Sequence, residues 1–480
     1  MITAQHIYDY LVCPHRVYLN AHEDPAKKRP LSQFLDLLFR RGSLHEKRVI
    51  ERFECSRPEG FTHEERFEST LELMRAGEDY IYQGLLIARD EQGIPDLLKK
   101  GSVPSALGSH SYIPIDIKSG KGYEYNSNNS VNKTYGIQLA FYARLLETIQ
   151  GVYPRQAGVI NIDGEEILFD PNDFRDGLEE ILPHIRSLVM GREKDYPALV
   201  QKCALCGWYD VCLERMKASS DVTLVAGISR GSKQALNEAG IRNVTDVATL
   251  DQRREKIKGV GEKRARTWSR QAKVYLSGNF EILSCEPIPT APMRIYFDFE
   301  DDPFQNLIYL YGFLTVRPDG NSEYSHIWCD DQDGEQGAFQ EFLDLCQSLS
   351  GQDYRVYHYH NHEHTVIQRL AEKYPPSDPQ PLEEFRSKMV DLEKQVVSHV
   401  VLPVLSYGLK PVSKFVGFKY SDEDPGGSQS IAWFEEYQKD PQRNGELRQR
   451  ILTYNRDDCE ATKVVHDWLA NTCQKTMRQS

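Results

Sequence analysis

The sequence predicts a mixed α/β protein of several domains. Its 480 residues exceed the roughly 100–200 residues of one domain. Three segments differ in pattern. Residues 1–218 mix helix and strand signals between cysteines, residues 219–280 carry paired helix signals and a basic run, and residues 293–480 begin with a strand and end in helices. The Pro-rich residues 281–292 are predicted to be an extended linker.

Composition narrows the function classes. A net charge of -13 argues against a chain evenly coated with nucleic-acid-binding charge. It excludes neither a local basic surface nor a metal-dependent nuclease, which needs clustered carboxylates. We find neither a secretory signal nor an apolar run of about 18 residues, so we expect a cytoplasmic protein without a membrane span. Ten cysteines are too few for a disulfide scaffold and must be interpreted by their spacing.

Four cysteines have the pattern of a metal or cluster site. Cys203, Cys206 and Cys212 follow one another as C-x2-C-x5-C, and Cys13 lies far upstream in YLVCPHRVY. Four thiolates are the ligands of an iron–sulfur cluster or of a structural zinc ion, and the spacing allows both. Either group would fasten the N-terminus to the end of the same domain.

A carboxylate–lysine pattern lies between these cysteines. In YIPIDIK, Asp116 and Lys118 project from one face of a predicted strand, and Asp96 can join them from a neighbouring strand. Two carboxylates hold Mg²⁺ or Mn²⁺ through oxygen, and a lysine orients water or stabilises charge on a phosphate. His45 in RGSLHE is a further candidate ligand.

In this order, the motifs of residues 1–218 resemble the PD-(D/E)xK nucleases of the RecB superfamily, in the iron–sulfur branch. They are CPHRVYL with Cys13, RGSLHE with His45, the Asp96 motif, DIK with Asp116 and Lys118, Gln138-x3-Tyr142, and the cysteine trio. The resemblance implies a restriction-endonuclease-like domain with one or two Mg²⁺ or Mn²⁺ ions on His45, Asp96 and Asp116. It also implies catalysis by Lys118, DNA contact by Gln138 and Tyr142, and a structural [4Fe–4S] cluster.

The middle segment carries a dense basic run. Residues 253–273 contain nine Lys or Arg and two Glu, a net charge of +7. A Gly259-x-Gly261 turn lets backbone amides approach a phosphate ahead of a helix. With two short helices before it, the segment resembles a small all-α helix-hairpin-helix module, which grips the nucleic-acid backbone without reading sequence. The predicted DNA-binding residues are Lys258, Gly259, Gly261, Lys263, Arg264 and Arg266.

A second acidic pattern opens the last segment. Asp298 and Glu300 share one face of a predicted strand, Tyr454 and Asp458 share one face of a helix, and Glu363 is a candidate fourth acid. Four acids around two cations about 4 Å apart suit in-line hydrolysis of a phosphodiester, with Tyr454 positioning the water. Asp457 competes with Asp458 for this role, although the Y-x3-D spacing favours Asp458.

This segment resembles the RNase H-like DEDD exonucleases of the DnaQ type, in the group with tyrosine in the third motif. The match includes SYGLKPVSKFVGF at residues 406–418, and the departure is Glu363, where the family has aspartate. The resemblance implies removal of nucleotides from 3′ ends, with two Mg²⁺ or Mn²⁺ ions bound.

The whole order resembles RecB-like nucleases, some of whose relatives are fused to superfamily 1 helicases. We therefore predict a metal-dependent DNA nuclease with two catalytic centres that acts on single-stranded DNA or DNA ends. The chain lacks a G-x4-G-K-[ST] motif, so a separate helicase is a conjectured partner. The alternatives are an RNA-directed 3′ exonuclease and a non-catalytic iron–sulfur DNA-binding protein.

Overall fold

The computed structural model describes residues 1–124, 127, 129–253, 256–422 and 426–479. They fold into two units. The first contains Met1–Pro197 and Gln201–Leu213, and the second contains Ala198–Val200 and Glu214–Ser480. Arg254 and Glu255 of the basic run lie outside the described residues. Among the helices described, none is both long enough and apolar enough to cross a bilayer.

The first unit is built on a five-stranded sheet in the order Tyr80–Tyr82, Leu97–Gly101, Ser111–Ile117, Ala157–Ile160 and Glu166–Phe169. Within it, the third and fourth strands are parallel and the other neighbours are antiparallel. A smaller sheet has the order Ile2–Thr3, Glu91–Gly93 and Leu86–Ala88. The α-helices are Ala4–Val12, Pro14–His22, Gln33–Ile50, His63–Ala76, Lys133–Gln150, Arg175–Val189 and Tyr209–Ala218, the last of which crosses the unit boundary.

The helix Lys133–Gln150 is the centre of the first unit's core. Asn132 caps its N-terminus by accepting from the backbone N–H groups of Thr134 and Tyr135, and Gly151 ends it in the left-handed conformation with φ of 72°. Its apolar face packs on the five-stranded sheet. Burial of this face stabilises the unit and places the remaining polar side chains of the helix next to the strand ends.

The second unit contains another five-stranded sheet, in the order Ser322–Trp328, Leu307–Val316, Met293–Asp302, Tyr354–His358 and Met389–Asp391. The first three strands are antiparallel, and the last two run parallel to Met293–Asp302. The α-helices that follow the first three strands in the chain are Glu335–Leu349, His362–Lys373, Gln380–Ser387, Leu392–His399, Leu409–Phe415, Gly427–Lys439 and Gly445–Gln479. The core is rich in stacked aromatic rings, among them Phe297, Phe313 and Phe342.

The middle segment belongs to this second unit. Its helices are Arg230–Glu238, Val244–Val247 and Glu262–Ser277. The buried Gln271 side chain donates to the Leu402 carbonyl at 2.6 Å and accepts from the Tyr407 hydroxyl at 2.8 Å. Within the predicted linker, Glu281–Ile282 pairs as a strand with Val400–Val401. The basic helix is therefore packed directly against the chain that follows the sheet.

Candidate functional site

Three carboxylates of the second unit form an acidic cluster. One oxygen each of Asp298, Glu300 and Asp458 lies within 4.8 Å of the others. Asp298 and Glu300 alternate along the strand Met293–Asp302 and so share a face. Asp458 comes from the long helix Gly445–Gln479, which packs against that strand. Among the described residues, no other His, Cys, Asp or Glu side chains form such a close set.

In this cluster, burial and the mutual repulsion of the carboxylates outweigh the positive charge of Lys410. Burial raises the pKa of Asp298 well above its ordinary value, and the charges of Asp458 and Glu300 raise it further. Burial also raises the pKa of Glu300 and the pKa of Asp458. Carboxylates that repel one another in a buried site bind either protons or cations. Their oxygens are the donor atoms that Mg²⁺ and Mn²⁺ prefer, so the donor set fits a divalent ion.

The structure separates the roles of the two adjacent aspartates. Asp458 is hydrogen-bonded to the hydroxyl of Tyr454, one helical turn before it, and accepts from the Tyr420 hydroxyl at 2.6 Å. Asp457 instead accepts from the backbone N–H of Ser421 at 2.6 Å. Asp458 therefore joins the cluster, whereas Asp457 holds Ser421. Residues 454–458, which read YNRDD, lie inside the helix that begins at Gly445.

Glu363 lies close to the cluster but outside the set of three. It is buried in the first turn of the helix His362–Lys373, and its charge raises the pKa of Asp298. The ring Nδ1 of His358 is 3.1 Å from a Glu363 oxygen. Between them, His360 has a φ of 78°, a left-handed conformation that is uncommon for a non-glycine residue. The turn at His360 thus brings the helix start and Glu363 towards the acids.

Sequence reasoning missed two polar side chains beside the cluster. Asn455 donates to Asp298 Oδ2 at 2.8 Å and accepts from the Tyr324 hydroxyl at 2.8 Å. Lys410 donates to the Tyr454 hydroxyl at 3.0 Å. Asn455 lies in YNRDD and Lys410 lies in SYGLKPVSKFVGF, two segments that the sequence analysis had considered. The spacing of residues in these segments assigns neither side chain a role.

Asn455 fits because the residue that faces it is glycine. Gly312 is the register partner of Asp298 on the adjacent strand, and a Cβ atom built there would lie 1.6 Å from Asn455 Oδ1. Any side chain at this position would push the amide away from the carboxylate that it orients. The sequence carried no signal for this requirement.

The first unit brings its predicted carboxylates to one strand end. Lys118 Nζ is 2.8 Å from Asp116 Oδ2, and the backbone N–H of Ile117 donates to Asp96 Oδ2 at 2.6 Å. Burial and the charge of Asp116 raise the pKa of Asp96 to about 8, although Lys118 lowers it. Burial tends to lower the pKa of Lys118, but the charges of Asp116 and Asp96 outweigh it and raise the value.

Gln138 and Tyr142 extend this site from the helix Lys133–Gln150. Lys118 Nζ donates to Gln138 Oε1 at 3.2 Å, and Gln138 Nε2 donates to the Tyr142 hydroxyl at 3.3 Å. The Tyr142 hydroxyl donates to the carbonyl of Ile94 at 3.2 Å, close to Asp96 in the chain. A continuous hydrogen-bond chain therefore joins the lysine to the segment that carries Asp96.

His45 lies at the same end of the sheet. Burial lowers its pKa, while the Asn161 carbonyl raises it, and its Nε2 has no hydrogen-bond partner within the described part of the chain. The neighbouring Glu46 accepts from the Tyr82 hydroxyl at 2.8 Å, and its charge raises the pKa of Asp96. Glu46 is a further acid that the sequence analysis did not assign. His45, Asp96 and Asp116 are not within 4.8 Å of one another.

The cysteine loop is fastened to the segment that follows Cys13. Cys13 separates the helices Ala4–Val12 and Pro14–His22. The indole N–H of Trp208, between Cys206 and Cys212, donates to Asn20 Oδ1 at 2.9 Å. None of the ten cysteines is in a disulfide. Within the described part of the chain, no three of Cys13, Cys203, Cys206 and Cys212 have their Sγ atoms within 4.8 Å of one another, so the four-sulfur site stays a prediction.

The predicted hairpin exposes its glycines. Ile257 and Val260 form a bridge around Gly259, which has a φ of 78°. Gly261 caps the helix Glu262–Ser277, and a Cβ atom at either glycine would meet nothing within 4 Å. The exposed basic side chains on and after the turn are Lys258, Lys263, Arg264 and Arg266. A cleft of about 700 Å³ beside it is lined by basic and acidic side chains, the basic ones being Arg253, Lys256, Arg266, Arg270 and Lys273.

Comparison with known proteins identifies one region. Residues 295–470 match the family model of the RNase H superfamily. This range contains the acidic cluster and the five-stranded sheet that supports it, so the C-terminal region is an RNase H-like domain and that part of the prediction is confirmed. No curated protein matches the chain. An RNase H-like domain with three clustered carboxylates is consistent with a metal-binding nuclease.

Proposed function

We propose that the protein is a metal-dependent nuclease whose C-terminal centre removes nucleotides from the 3′ ends of single-stranded DNA. The observation that carries this proposal is the acidic cluster of Asp298, Glu300 and Asp458 on an RNase H-like sheet. Buried carboxylates with raised pKa values bind divalent cations in exchange for protons.

Each residue of this centre then has a role. Asp298, Glu300 and Asp458 hold the cations, and Glu363 completes the set of four acids. Two divalent cations bound there supply activation of water and stabilisation of the leaving oxygen. Asn455 fixes the orientation of Asp298 through the hydrogen bond at 2.8 Å. Tyr454 positions the attacking water from the same helix as Asp458.

The second centre of the proposal is the RecB-like site in the first unit. Asp96, Asp116 and His45 would hold one or two divalent cations, and the orphan Nε2 of the buried His45 supports this assignment. Lys118 lies next to Asp116 and supplies the positive charge that stabilises the attacked phosphate. Gln138 and Tyr142 would contact the DNA strand.

The proposal includes a structural [4Fe–4S] cluster on Cys13, Cys203, Cys206 and Cys212. The hydrogen bond from Trp208 to Asn20 supports it, because it holds the cysteine trio against the segment that follows Cys13. Iron and acid-labile sulfide in anaerobically purified protein test the cluster. One zinc ion without iron would replace it and leave the nuclease proposal standing.

The middle segment would hold the DNA backbone. Lys258, Lys263, Arg264 and Arg266 are exposed around the open glycine turn of residues 259–261. Because phosphate contacts release counterions, binding should weaken steeply with salt. A separate helicase remains the conjectured partner that would supply single strands.

The test uses purified full-length protein with 3′- and 5′-labelled single-stranded DNA and matched RNA in Mn²⁺. We expect Asp298→Asn to remove 3′ trimming and Asp116→Asn to remove the activity of the first unit, with Asp344→Asn on an exposed helix face as the matched control. RNA cleavage without DNA cleavage would favour the RNA exonuclease. Binding without cleavage by wild type would leave the non-catalytic alternative.

A further inference from the structure

We propose that Lys410 is a positioning residue of the C-terminal centre, which orients the Tyr454 hydroxyl and, through it, the attacking water. This inference rests on the proposed function of that centre. Lys410 is the second residue of the helix Leu409–Phe415, far in sequence from every acid of the cluster. Neither the family match nor the spacing of the acidic motifs assigns it a role.

The contacts of Lys410 point at Tyr454. Its Nζ donates to the Tyr454 hydroxyl at 3.0 Å and lies 4.7 Å from the centre of the same ring. It also lies 5.8 Å from the centre of the Tyr420 ring, whose hydroxyl donates to Asp458. A half-buried ammonium between two rings has little freedom to point elsewhere, so the hydrogen bond to Tyr454 is held by packing.

The hydrogen bonds of the phenol decide how a water can bind. A tyrosine hydroxyl has one proton to donate and two lone pairs that accept. The proton of Tyr454 is directed to the Asp458 carboxylate, and Lys410 occupies one lone pair. One lone pair is left, so a water at Tyr454 must donate its own proton to the phenol oxygen. The lone pairs of that water then point away from Tyr454, as a nucleophile requires.

Lys410 also has a purely electrostatic alternative. Its positive charge lowers the pKa values of Asp298, Glu300 and Asp458 against the effect of burial. A lysine that only neutralised the acids would act on cation binding and stability, independently of the Tyr454 hydroxyl. The two roles therefore differ in whether the effect of removing Lys410 depends on the presence of that hydroxyl.

A double-mutant cycle separates these roles. In an Asp116→Asn background, which leaves the C-terminal centre alone, we compare Lys410→Met, Tyr454→Phe and the double variant at saturating Mg²⁺. We expect each single variant to lower kcat about 10- to 100-fold with KM nearly unchanged, because the water is misplaced. The kcat of the double variant should be no lower than that of Tyr454→Phe, because Lys410 acts only through the Tyr454 hydroxyl. Lys410→Arg should restore part of the rate.

A second measurement does not depend on activity. In metal-free protein labelled at the tyrosine ζ carbon, Lys410→Met should shift the Tyr454 resonance, which Tyr454→Phe assigns. Lys414→Met, an exposed lysine on the same helix, should change neither this resonance nor kcat. If Lys410→Met does not fold, Lys410→Gln keeps the chain polar and takes its place in the cycle.

The outcomes are distinct. The positioning role would be overturned if the two single losses of kcat multiplied in the double variant. It would also be overturned if Lys410→Met left the Tyr454 resonance unchanged. Full activity of Lys410→Met would do the same while leaving the nuclease proposal intact. An inactive wild type would instead remove the proposed function, and this inference with it.

Discussion

The two candidate centres balance their negative charge in different ways. In the first unit, Lys118 lies 2.8 Å from Asp116, and both come from one strand and its immediate extension. In the second unit, three carboxylates converge within 4.8 Å, and the nearby Lys410 is hydrogen-bonded to the Tyr454 hydroxyl. The first site therefore carries its own counter-charge beside the acids. In the second site, the lysine contacts Tyr454 and lowers the pKa values of the acids through its charge alone. This difference predicts different responses to mutation, metal and pH.

The largest expected effect is the loss of the lysine in the first unit. Lys118→Met in an Asp298→Asn background should lower the remaining nuclease activity by about 10²- to 10⁴-fold, because Lys118 is the basic side chain that the proposed catalytic set provides to stabilise the phosphate. The rate on labelled single-stranded DNA measures it. Lys121→Met, at an exposed residue, is the control. A loss under about tenfold would show that the first site does not depend on its own lysine.

The next effect is stabilisation of the second unit by metal. In an Asp116→Asn background, Mg²⁺ at about 100 times its Kd should raise the free energy of unfolding by about 3 kcal/mol. Asp298→Asn should abolish this gain and raise the melting temperature of the metal-free protein, because it removes one of the repelling carboxylates. Calorimetry with and without chelator measures both. If Mg²⁺ raised the free energy of unfolding equally with and without Asp298→Asn, that result would contradict a metal site at the cluster.

A smaller effect concerns the glycine opposite Asp298. Gly312→Ala should lower the free energy of unfolding of the second unit by about 1–3 kcal/mol, because its Cβ atom and Asn455 cannot share the space. Activity of the C-terminal centre should fall as well, since Asn455 orients Asp298. Gly337→Ala is the control, because Gly337 is an exposed residue of the helix Glu335–Leu349 and a Cβ atom there would meet nothing within 4 Å. Equal denaturation midpoints of the two variants would show that Asn455 is not constrained by Gly312.

The smallest effect is a pH dependence in the first unit. The pKa of Asp96 is raised to about 8, so a cation must displace its proton at lower pH. In an Asp298→Asn background, the half-saturating Mn²⁺ concentration should rise by up to about tenfold per pH unit below 8 and level off above it. Asp96→Asn should flatten this dependence. A half-saturation that stays constant from pH 6.5 to about 8 would show that Asp96 is not a ligand.

Local pattern predicted the parts of the second unit that are local in the chain. The two-residue period of a strand predicted that Asp298 and Glu300 share one strand face. The helical period predicted that Tyr454 and Asp458 share one helix face, because both periods follow from backbone geometry. The family match at residues 295–470 confirms the RNase H-like prediction. The RecB-like, iron–sulfur and helix-hairpin-helix assignments remain predictions.

The missing parts depend on tertiary packing. Lys410 reaches Tyr454 across 44 positions of sequence, and Asn455 reaches Asp298 across 157. No periodicity links such distant residues, so the sequence alone gives no reason to choose Lys410 over Lys414. The need for glycine at position 312 arises only when the helix is laid on the strand.

The buried amide of Gln271 has a mechanical consequence. Its bonds to Leu402 and Tyr407 tie the basic helix to the chain that leads into Lys410. If that helix binds a DNA strand as proposed, these two hydrogen bonds favour a fixed number of nucleotides between the helix and the carboxylates. The distance between the basic helix and the acidic cluster would then set a minimum substrate length, which is the shortest oligonucleotide able to contact both.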